Sequence, residues 1–232
     1  MAELIRTWNL FHGNADPPSR HSHLHRMVEL AAADRPTVIC LQEVPVWALA
    51  RLDDWSGMHR LGVVTRPPLW PGPLSGWVTR LHQGFFRSGL AGQANAVLVA
   101  RRLQAVDLGH VRISDHGRER RLVQAVRVEG IGVVANLHAS NELARPEIPT
   151  EEVRRARAFV ESVAHPDEPI VLAGDFNVSS PSVDGFSAAA PGIDQVLVRG
   201  APCTPPVVWE RPRRTVGGVV LSDHAPVDVL VG

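Results

Sequence analysis

Short apolar runs of strand length recur along the chain and limit the folds that it can adopt. Glycine, proline and polar residues separate these runs, which cover residues 4–10, 37–42, 94–100, 122–128, 131–137, 170–173, 193–198 and 226–231. Short apolar runs between turn signals are typical of β-strands. Strands therefore dominate the predicted fold.

Two amphipathic segments interrupt the strands and are predicted to be helices. The first covers residues 20–33, and its predicted apolar face consists of Leu24, Met27, Val28 and Ala31. The second follows Thr150, a predicted N-cap, and its apolar stripe continues to Val163. Residues 46–52 are expected to form a short helix. We interpret His21, His23 and His25 as a solvated face of the first helix.

The order of these elements indicates the architecture. Consecutive strands without a helix between them favour antiparallel pairing, and the helices must cover sheet faces. We therefore expect an α/β (α+β) fold of two packed sheets with helices outside. The chain of 232 residues is 44% hydrophobic and is predicted to be one domain, residues 1–232. Residues 66–92, rich in Pro, Gly and Trp, are expected to form a long loop over one edge.

Composition excludes several kinds of chemistry. The 24 basic residues are all Arg, they balance 24 acidic residues, and the chain contains no Tyr. Without lysine or tyrosine there is no P-loop lysine, no side-chain Schiff base and no tyrosyl nucleophile. Guanidinium groups can hold phosphates in a bidentate way, but the neutral net charge means that any phosphate-binding surface is local.

The cysteines and the N-terminal sequence bear on location. Cys40 and Cys203 lie far apart, and Cys40 falls within an apolar run, so it is expected to be buried and reduced. We identify no zinc-binding spacing, signal peptide or membrane span. A cytoplasmic protein without an obligate protein partner is the expectation.

Residues 174–177 read Gly-Asp-Phe-Asn and directly follow an apolar run. In an extended segment Asp175 and Asn177 would face the same side. A carboxylate can accept a proton from water, while the amide and the imidazole of His224 can donate to a phosphoryl oxygen. This combination indicates a phosphoesterase site.

Further polar residues stand at or near the ends of the apolar runs. Together with Asp175, Asn177 and His224 they form the candidate site: Asn9, Glu43, Asn95, His138, Asp194 and Asp223. Asp194 is notable because a buried carboxylate without a partner is costly. Each motif alone has a structural interpretation, for example Asp and Asn as ordinary turn residues. The combination favours function.

This set of motifs resembles the endonuclease/exonuclease/phosphatase superfamily, and in particular the pancreatic-type deoxyribonucleases. The resemblance spans nearly the whole chain and depends on six motifs: Thr-Trp-Asn at 7–9, Leu-Gln-Glu-Val at 41–44, Asn-Leu-His at 136–138, Gly-Asp-Phe-Asn at 174–177, Ile-Asp-Gln-Val at 193–196 and Ser-Asp-His at 222–224. It implies a four-layer α/β/β/α sandwich with the site at one end of both sheets.

The resemblance also implies roles for individual residues. Glu43 would be the main ligand of Mg²⁺ or Mn²⁺, with Asn9 and Asp223 nearby, which suits the oxygen preference of these ions. Asp175 would activate the attacking water. Predicted supporting roles are phosphate binding by Asn177, orientation of His224 by Asp194, transition-state stabilisation by His224, and further contacts from His138, Arg121 and Asn95.

One departure concerns His138. In the pancreatic-type nucleases a glutamate pairs with the matching imidazole, but no Glu occurs between Glu43 and Glu119 here. We expect either an aspartate partner, Asp53 or Asp54, or a histidine that acts only as a hydrogen-bond donor. Apurinic-site endonucleases of this family use a tyrosine, and the chain contains none, which argues against that subclass.

Three functions are compatible with these observations. The first is metal-dependent hydrolysis of phosphodiesters in nucleic acid. The second is hydrolysis of a small phosphorylated metabolite or lipid head group, and the third is a binding module without turnover. The arginines that suggest a nucleic-acid footprint are Arg112, Arg118, Arg120, Arg121, Arg127, Arg211, Arg213 and Arg214. Trp70 and Trp77 are interpreted as packing residues.

Overall fold

The computed structural model describes residues 2–19, 21–69, 91–115, 120–142, 144–187 and 189–232. Most of the predicted loop at 66–92, including Trp70 and Trp77, lies outside these residues, as does Arg118.

Two large sheets form the centre of the fold. The first sheet has the order β11-β14-β1-β3-β5-β4. Its strands are β1 (Glu3–Asn9), β3 (Val38–Val44), β4 (His59–Arg66), β5 (Gln93–Val99), β11 (Val207–Val208) and β14 (Val227–Val231). All neighbours are antiparallel except β1 and β3, which are parallel.

The second sheet has the order β10-β9-β8-β7-β6. Its strands are β6 (Ala105–Arg112), β7 (Leu122–Val128), β8 (Gly132–His138), β9 (Ile170–Asp175) and β10 (Asp194–Arg199). It is likewise antiparallel except for the parallel pair β8 and β9. A small third sheet joins β2 (Ala15–Asp16), β12 (Thr215–Val216) and β13 (Val219–Leu221).

Helices cover the outer faces of both large sheets. Helices α1 (Leu24–Ala32) and α2 (Leu52–Ser56) pack on the first sheet, and α3 (Glu147–Val163) packs on the second. A 3₁₀ helix over Val46–Arg51 leads into α2, so the predicted short helix is present. Of the helices that the structure describes, none is both long enough and apolar enough to cross a bilayer.

Three apolar clusters hold these layers together. The cluster between the sheets combines side chains such as Val38 and Val97 of the first sheet with Val134 and Val171 of the second. The other two clusters lie between each sheet and its helices. Burial of apolar surface on both faces of both sheets explains why the central strands read as continuous apolar runs. The predicted four-layer α/β/β/α sandwich is confirmed.

The local predictions were wrong at several points. Strands β4 and β6 were not predicted, and α1 begins only at Leu24, so His21 and His23 precede the helix. Thr150 is not an N-cap, because α3 begins at Glu147, after Pro146. The hydroxyl of Thr150 instead donates to the carbonyl of Pro146 at 2.8 Å.

Candidate active site

The two parallel strand pairs bring four predicted site residues to the same end of the sandwich. In the first sheet β1 ends at Asn9 beside the segment of β3 that carries Glu43. In the second sheet β8 ends at His138, which is in register with Asp175 at the end of β9. The carboxyl ends of paired parallel strands lie at the same end of a sheet, and the packing of the two sheets brings these two ends together.

Glycine at position 174 is required by the close approach of β9 to β8. Gly174 has a φ of 138°, and a Cβ atom there would lie 1.9 Å from the carbonyl oxygen of Leu137. No other residue type fits this spacing, because side chains have a Cβ atom. The glycine of the Gly-Asp-Phe-Asn motif therefore allows Asp175 to come level with His138.

Asp175 lies at the centre of the candidate site. Its Oδ2 atom accepts a hydrogen bond of 3.0 Å from the side-chain amide of Asn9. The same oxygen lies 3.5 Å from Nε2 of His138 and 3.9 Å from Nε2 of His224. Burial, reinforced by the charge of Asp194, raises the pKa of Asp175 to about 7. A carboxylate with a pKa near neutrality is suited to accept a proton from water.

Asp194 holds His224 in a defined orientation. Its Oδ2 atom lies 2.8 Å from Nδ1 of the imidazole ring, so that Nε2 is directed towards Asp175. Burial opposes the imidazolium form, but the hydrogen bond and charge of Asp194 outweigh it and raise the pKa of His224 to about 10. The imidazole is therefore a cation at neutral pH, next to the carboxylate at the centre of the site.

Glu43, Asn9 and Asp223 are the predicted metal ligands, and they lie close enough to influence one another. Burial raises the pKa of Glu43, and the charge of Asp223 contributes to this rise. Asn9 hydrogen-bonds to Glu43 through its side chain, while its oxygen accepts from the backbone N–H of Phe11 at 3.0 Å. Carboxylate and amide oxygens beside a buried acidic group fit a hard divalent cation such as Mg²⁺.

A second cluster, of two aspartates and a histidine, has side-chain atoms close enough together to bind a metal ion. One ligand atom from each of Asp175, Asp194 and His224 lies within 4.8 Å of the others. Nδ1 of His224 is hydrogen-bonded to Asp194, which gives this cluster the geometry of an oriented imidazole beside Asp175. We therefore interpret this group as an aspartate–histidine pair beside a base, and Glu43 as the residue that would hold a metal.

His138 is contacted by an amide and a guanidinium, so of the two alternatives the pairing with Asp53 or Asp54 is wrong, and Arg121 makes the ring an acceptor rather than only a donor. The side-chain amide of Gln93 lies 3.2 Å from Nδ1, and NH1 of Arg121 lies 2.9 Å from Nε2. Asp53 forms an ion pair with Arg60 at 3.3 Å. Burial and the charge of Arg121 hold the pKa of His138 well below its usual value of 6.5. The ring is therefore neutral.

Two predicted substrate-contacting residues are held differently from the expectation. Asn177 has a φ of 50°, so it does not continue the strand, and its side-chain amide donates to the carbonyl of Ala139 at 2.9 Å. The argument that extended geometry places it beside Asp175 is therefore wrong, although its backbone N–H donates to Asp175 at 3.1 Å. Asn95 is fully buried, and its amide has no hydrogen-bond partner among the described residues.

Sequence reasoning missed several residues of the site. His12 is buried, and its Nε2 atom lies 3.3 Å from Oε2 of Glu43. The indole of Trp8 donates to the carbonyl of His224 at 3.0 Å, and the hydroxyl of Ser222 donates to the carbonyl of Asn9 at 2.7 Å. The guanidinium of Arg214 donates to the carbonyls of Leu221 and Ser222. These bonds fix the loop that carries Asp223 and His224.

A buried polar contact joins the two sheets near the site. The side-chain amide of Gln42 on β3 donates to the side-chain oxygen of Asn136 on β8 at 2.7 Å. The amide nitrogen of Asn136 then donates to the carbonyls of Leu41 and Ala96, both in the first sheet. Both residues stand within predicted apolar runs, and this interruption is the sequence signal that could have revealed them.

Most arginines of the predicted nucleic-acid footprint have structural partners elsewhere. Arg127 forms a bidentate ion pair with Glu168, with Nε 2.7 Å from Oε1. Arg213 pairs with Asp34 at 2.8 Å, and Arg211 pairs with Asp16. Among the described members of this set, Arg127, Arg211 and Arg213 are thus paired with carboxylates, and Arg120 and Arg121 lie next to His138.

Comparisons with known proteins identify the family of the chain. A model of the Endonuclease/Exonuclease/phosphatase family matches residues 7–224, whereas a comparison with curated proteins gave no match. Among solved structures, an endonuclease/exonuclease/phosphatase from Beutenbergia cavernae is 20% identical, with a TM-score of 0.70 over 99% of this chain and 71% of that chain.

Two further solved structures share the fold at lower identity. TDP2 from Caenorhabditis elegans is 14% identical, with a TM-score of 0.69 over 100% of this chain and 75% of that chain. A mannosyl-6-phosphatase from Bacteroides thetaiotaomicron is 15% identical, with a TM-score of 0.68 over 99% of this chain and 100% of that chain. The family match covers nearly the whole chain, and the chain therefore belongs to the endonuclease/exonuclease/phosphatase family of phosphoester hydrolases.

Proposed function

We propose that the protein hydrolyses phosphodiester bonds of nucleic acid and depends on Mg²⁺ or Mn²⁺. The observation that carries this proposal is the convergence of Asn9, His138 and His224 on Oδ2 of Asp175. A single buried carboxylate oxygen faced by an amide and two imidazoles is suited to hold and deprotonate a water molecule. We propose residues 1–232 as one catalytic domain, with a cytoplasmic location.

In the proposed reaction Asp175 accepts the proton of the attacking water. Asn9 restrains the carboxylate, and the cationic His224 offsets negative charge on the phosphoryl oxygens as it develops. The second N–H of the Asn177 amide, which is not needed for the bond to Ala139, and guanidinium N–H groups of Arg121 other than NH1 donate hydrogen bonds to the phosphate. Glu43, with Asn9 and Asp223, would hold the metal ion, which when bound neutralises phosphate charge and steadies the leaving oxygen.

A phosphomonoesterase that acts on a small phosphorylated metabolite or lipid head group is the second candidate. The structural similarity to a mannosyl-6-phosphatase favours it, because the same arrangement of base and cation can attack either kind of ester. A module that only binds phosphate esters is the third, and membership of a family of phosphoester hydrolases argues against it.

The test is an assay of the purified protein with Mg²⁺, Mn²⁺ or a chelator against duplex DNA, single-stranded DNA, RNA, bis(p-nitrophenyl) phosphate and p-nitrophenyl phosphate. Hydrolysis of nucleic acid and of the diester, lost in the chelator, would support the first function. Turnover of the monoester alone would support the second, and no turnover of any ester would leave the third.

A pair of matched variants tests the role of Asp175. Asp175→Asn should lower kcat by roughly 10² to 10⁴-fold, because it removes the base and keeps the shape of the side chain. Asp184→Asn is the control, since the side chain of Asp184 is 92% exposed. Unchanged hydrolysis by Asp175→Asn would remove the assignment of the base.

A further inference from the structure

Two imidazole rings approach the side chain of Glu43, one at each carboxylate oxygen. Nε2 of His12 lies 3.3 Å from Oε2, and Nε2 of His138 lies 3.9 Å from Oε1. Nε2 of His138 also accepts a hydrogen bond from Arg121 at 2.9 Å. The closer imidazole is therefore that of His12, a buried residue that has no role in the reaction proposed above.

The backbone holds both partners of this contact in unusual conformations. His12 has a φ of 52° in the turn that follows β1, and Glu43 has a φ of 54° at the register shift between β3 and β5. A left-handed backbone in residues other than glycine is strained, and it persists where the surrounding structure enforces it, often at functional sites. The strain on both sides of the contact favours a functional role for it.

Hydrogen bonds and packing fix the turn that carries His12. The N–H of Gly13 donates to the carbonyl of Leu10 at 2.7 Å, and the N–H of Asn14 donates to the carbonyl of Phe11 at 2.9 Å. A Cβ atom at Gly13 would lie 2.6 Å from Cβ of Leu24, at the start of α1. The turn is thus bonded within itself and packed against a helix, so the fold sets the position of the imidazole.

The orientation of Asn9 leaves room for a further ligand beside Glu43. The side-chain nitrogen of Asn9 donates to Asp175 at 3.0 Å, and its oxygen accepts from the N–H of Phe11 at 3.0 Å. A cation binds the oxygen of an amide, and one of the two lone pairs of this oxygen is already used. Asn9 therefore offers a metal ion one lone pair at most.

The contact between His12 and Glu43 has the spacing of two ligands of one metal ion. Neighbouring ligands of an octahedral ion lie about 3.0 Å apart when each is about 2.1 Å from the ion, and the observed separation is 3.3 Å. Mg²⁺ prefers oxygen ligands, whereas imidazole nitrogen is a ligand of transition metals. A carboxylate beside an imidazole therefore suits a transition-metal ion such as Mn²⁺.

We propose that His12 is a nitrogen ligand of the metal ion held by Glu43, and that the site consequently prefers Mn²⁺ to Mg²⁺. The inference rests on the proposed function for the position of the metal ion, and it narrows the choice of cofactor made there. It assigns His12 a role in binding the metal ion and leaves the roles of Asp175 and His224 unchanged.

Electron spin-echo envelope modulation of bound Mn²⁺ tests the ligand directly, because it detects nitrogen atoms bonded to the ion. The protein is stripped of metal with a chelator, freed of the chelator and loaded with substoichiometric Mn²⁺. Nitrogen modulation should be present, and it should change when only the histidines carry the heavy nitrogen isotope. The absence of nitrogen modulation would overturn the proposal.

Variants assign the nitrogen to a residue. His12→Asn should abolish the modulation, because asparagine tolerates the left-handed backbone but has no imidazole. His165→Asn is the matched control and should keep the modulation, since His165 is exposed and precedes β9 at the end opposite Asp175. Glu43→Gln should lose the bound Mn²⁺. Modulation that persists in His12→Asn or in Glu43→Gln would overturn the proposal.

Calorimetry measures the preference for Mn²⁺. The wild type should bind Mn²⁺ about tenfold or more tightly than Mg²⁺. His12→Asn should weaken the binding of Mn²⁺ by roughly tenfold or more and that of Mg²⁺ by less than about threefold. Equal losses for the two ions would indicate a structural role of His12 and overturn the proposal, as would a wild type that prefers Mg²⁺.

Thermal unfolding in chelator shows whether His12→Asn keeps the fold. If it does not, His138→Gln and His224→Gln decide the question, because they remove the other two imidazoles of the site. Modulation from labelled histidine that is kept in both variants supports His12 as the ligand. Its loss in one of them assigns the nitrogen to that ring and overturns the proposal.

These measurements need no substrate, so they separate this inference from the proposed function. An active enzyme whose bound Mn²⁺ shows no nitrogen modulation would overturn the His12 ligand and leave the phosphoesterase. Modulation that depends on His12 in a protein that hydrolyses no ester would support the ligand and remove the proposed function.

Discussion

The side-chain amide of Gln93 lies 3.2 Å from Nδ1 of His138 and links the first sheet to the reaction centre. Because the guanidinium of Arg121 can only donate, Nε2 of His138 accepts and Nδ1 carries the proton. The nitrogen of the Gln93 amide is the atom that faces Nδ1 here, so the amide must turn by 180° to bring its oxygen to this proton. A neutral amide thus orients the ring without making it a cation.

Removal of this amide should therefore disturb the ring. Gln93→Leu should lower kcat by about tenfold, since one hydrogen bond of about 1 kcal/mol or more orients His138. Gln93→Glu keeps an acceptor for Nδ1 and should retain more activity than Gln93→Leu. Steady-state kinetics measures both. Equal activity of wild type and Gln93→Leu would mean that the amide does not orient His138.

Asp194 should control the titration of His224. In protein kept in chelator, the imidazole of His224 should titrate with a pKa of about 10. Asp194→Asn removes the favourable hydrogen bond and charge, so the pKa should fall towards the ordinary value of 6.5. Proton–nitrogen NMR of the ring follows this titration, and His224→Gln identifies the signal by its loss. An unchanged pKa in Asp194→Asn would contradict the role of this pair.

The ion pair of Arg127 with Glu168 should make stability depend on pH. The hydrogen bond from Arg127 lowers the pKa of Glu168 below its ordinary value of 4.5, despite partial burial. The pair therefore stabilises the protein fully above pH 4.5, and this contribution is lost as the pH falls through the lower folded pKa.

Glu168→Gln should lower the free energy of unfolding by about 1–2 kcal/mol at pH 7. The difference from wild type should shrink as the pH falls below 4.5. Urea unfolding over a range of pH measures this difference. The exposed Glu210→Gln is the control at pH 7, and a difference that grows in acid would contradict the sign.

The close contact at Gly174 should make this position intolerant of any side chain. Gly174→Ala would place Cβ 1.9 Å from the carbonyl of Leu137, whereas a Cβ at Gly130 meets nothing within 4 Å. Both glycines have a positive φ, so Gly130→Ala measures backbone strain alone, at about 1 kcal/mol. Gly174→Ala should cost several times more or prevent folding. Equal unfolding midpoints for the two variants would contradict the steric argument.

The central strands could be predicted from sequence, but the edge strands could not. Strands such as β3 and β9 are buried on both faces and therefore read as apolar runs. β4 and β6 lie at the sheet edges, consist mostly of exposed and partly buried residues, and contain Gly62 and Gly109. A partly exposed strand that contains a glycine has little hydrophobic signal.

The start of α3 was predicted wrongly for a different reason. Pro149 lies within the first turn of the helix, where backbone N–H groups have no intrahelical partner, so proline is tolerated there. A proline one residue before Thr150 favours a later helix start when the sequence is read alone. The polar side chain of Thr150 strengthened that interpretation, although its hydroxyl bonds back to Pro146.

The site residues were predictable where charge or motif identifies them. Asp175, Asp194 and His224 stand out because ionisable residues rarely occur in or beside buried strands without a partner. Gln93 carries no charge, and His12 reaches Glu43 from a turn with a left-handed backbone conformation. Neither the neutral amide nor that backbone conformation is visible in the sequence pattern.

The hydrogen bond between Gln42 and Asn136 joins the two sheets that together carry the reaction centre. Asn9 and Glu43 of the candidate site belong to the first sheet, and His138 and Asp175 belong to the second. If one sheet slid against the other, these two pairs of residues would move apart although the hydrogen bonds within each sheet stayed intact. Catalytic turnover therefore depends on the alignment of the two sheets, and activity can be lost before either sheet unfolds.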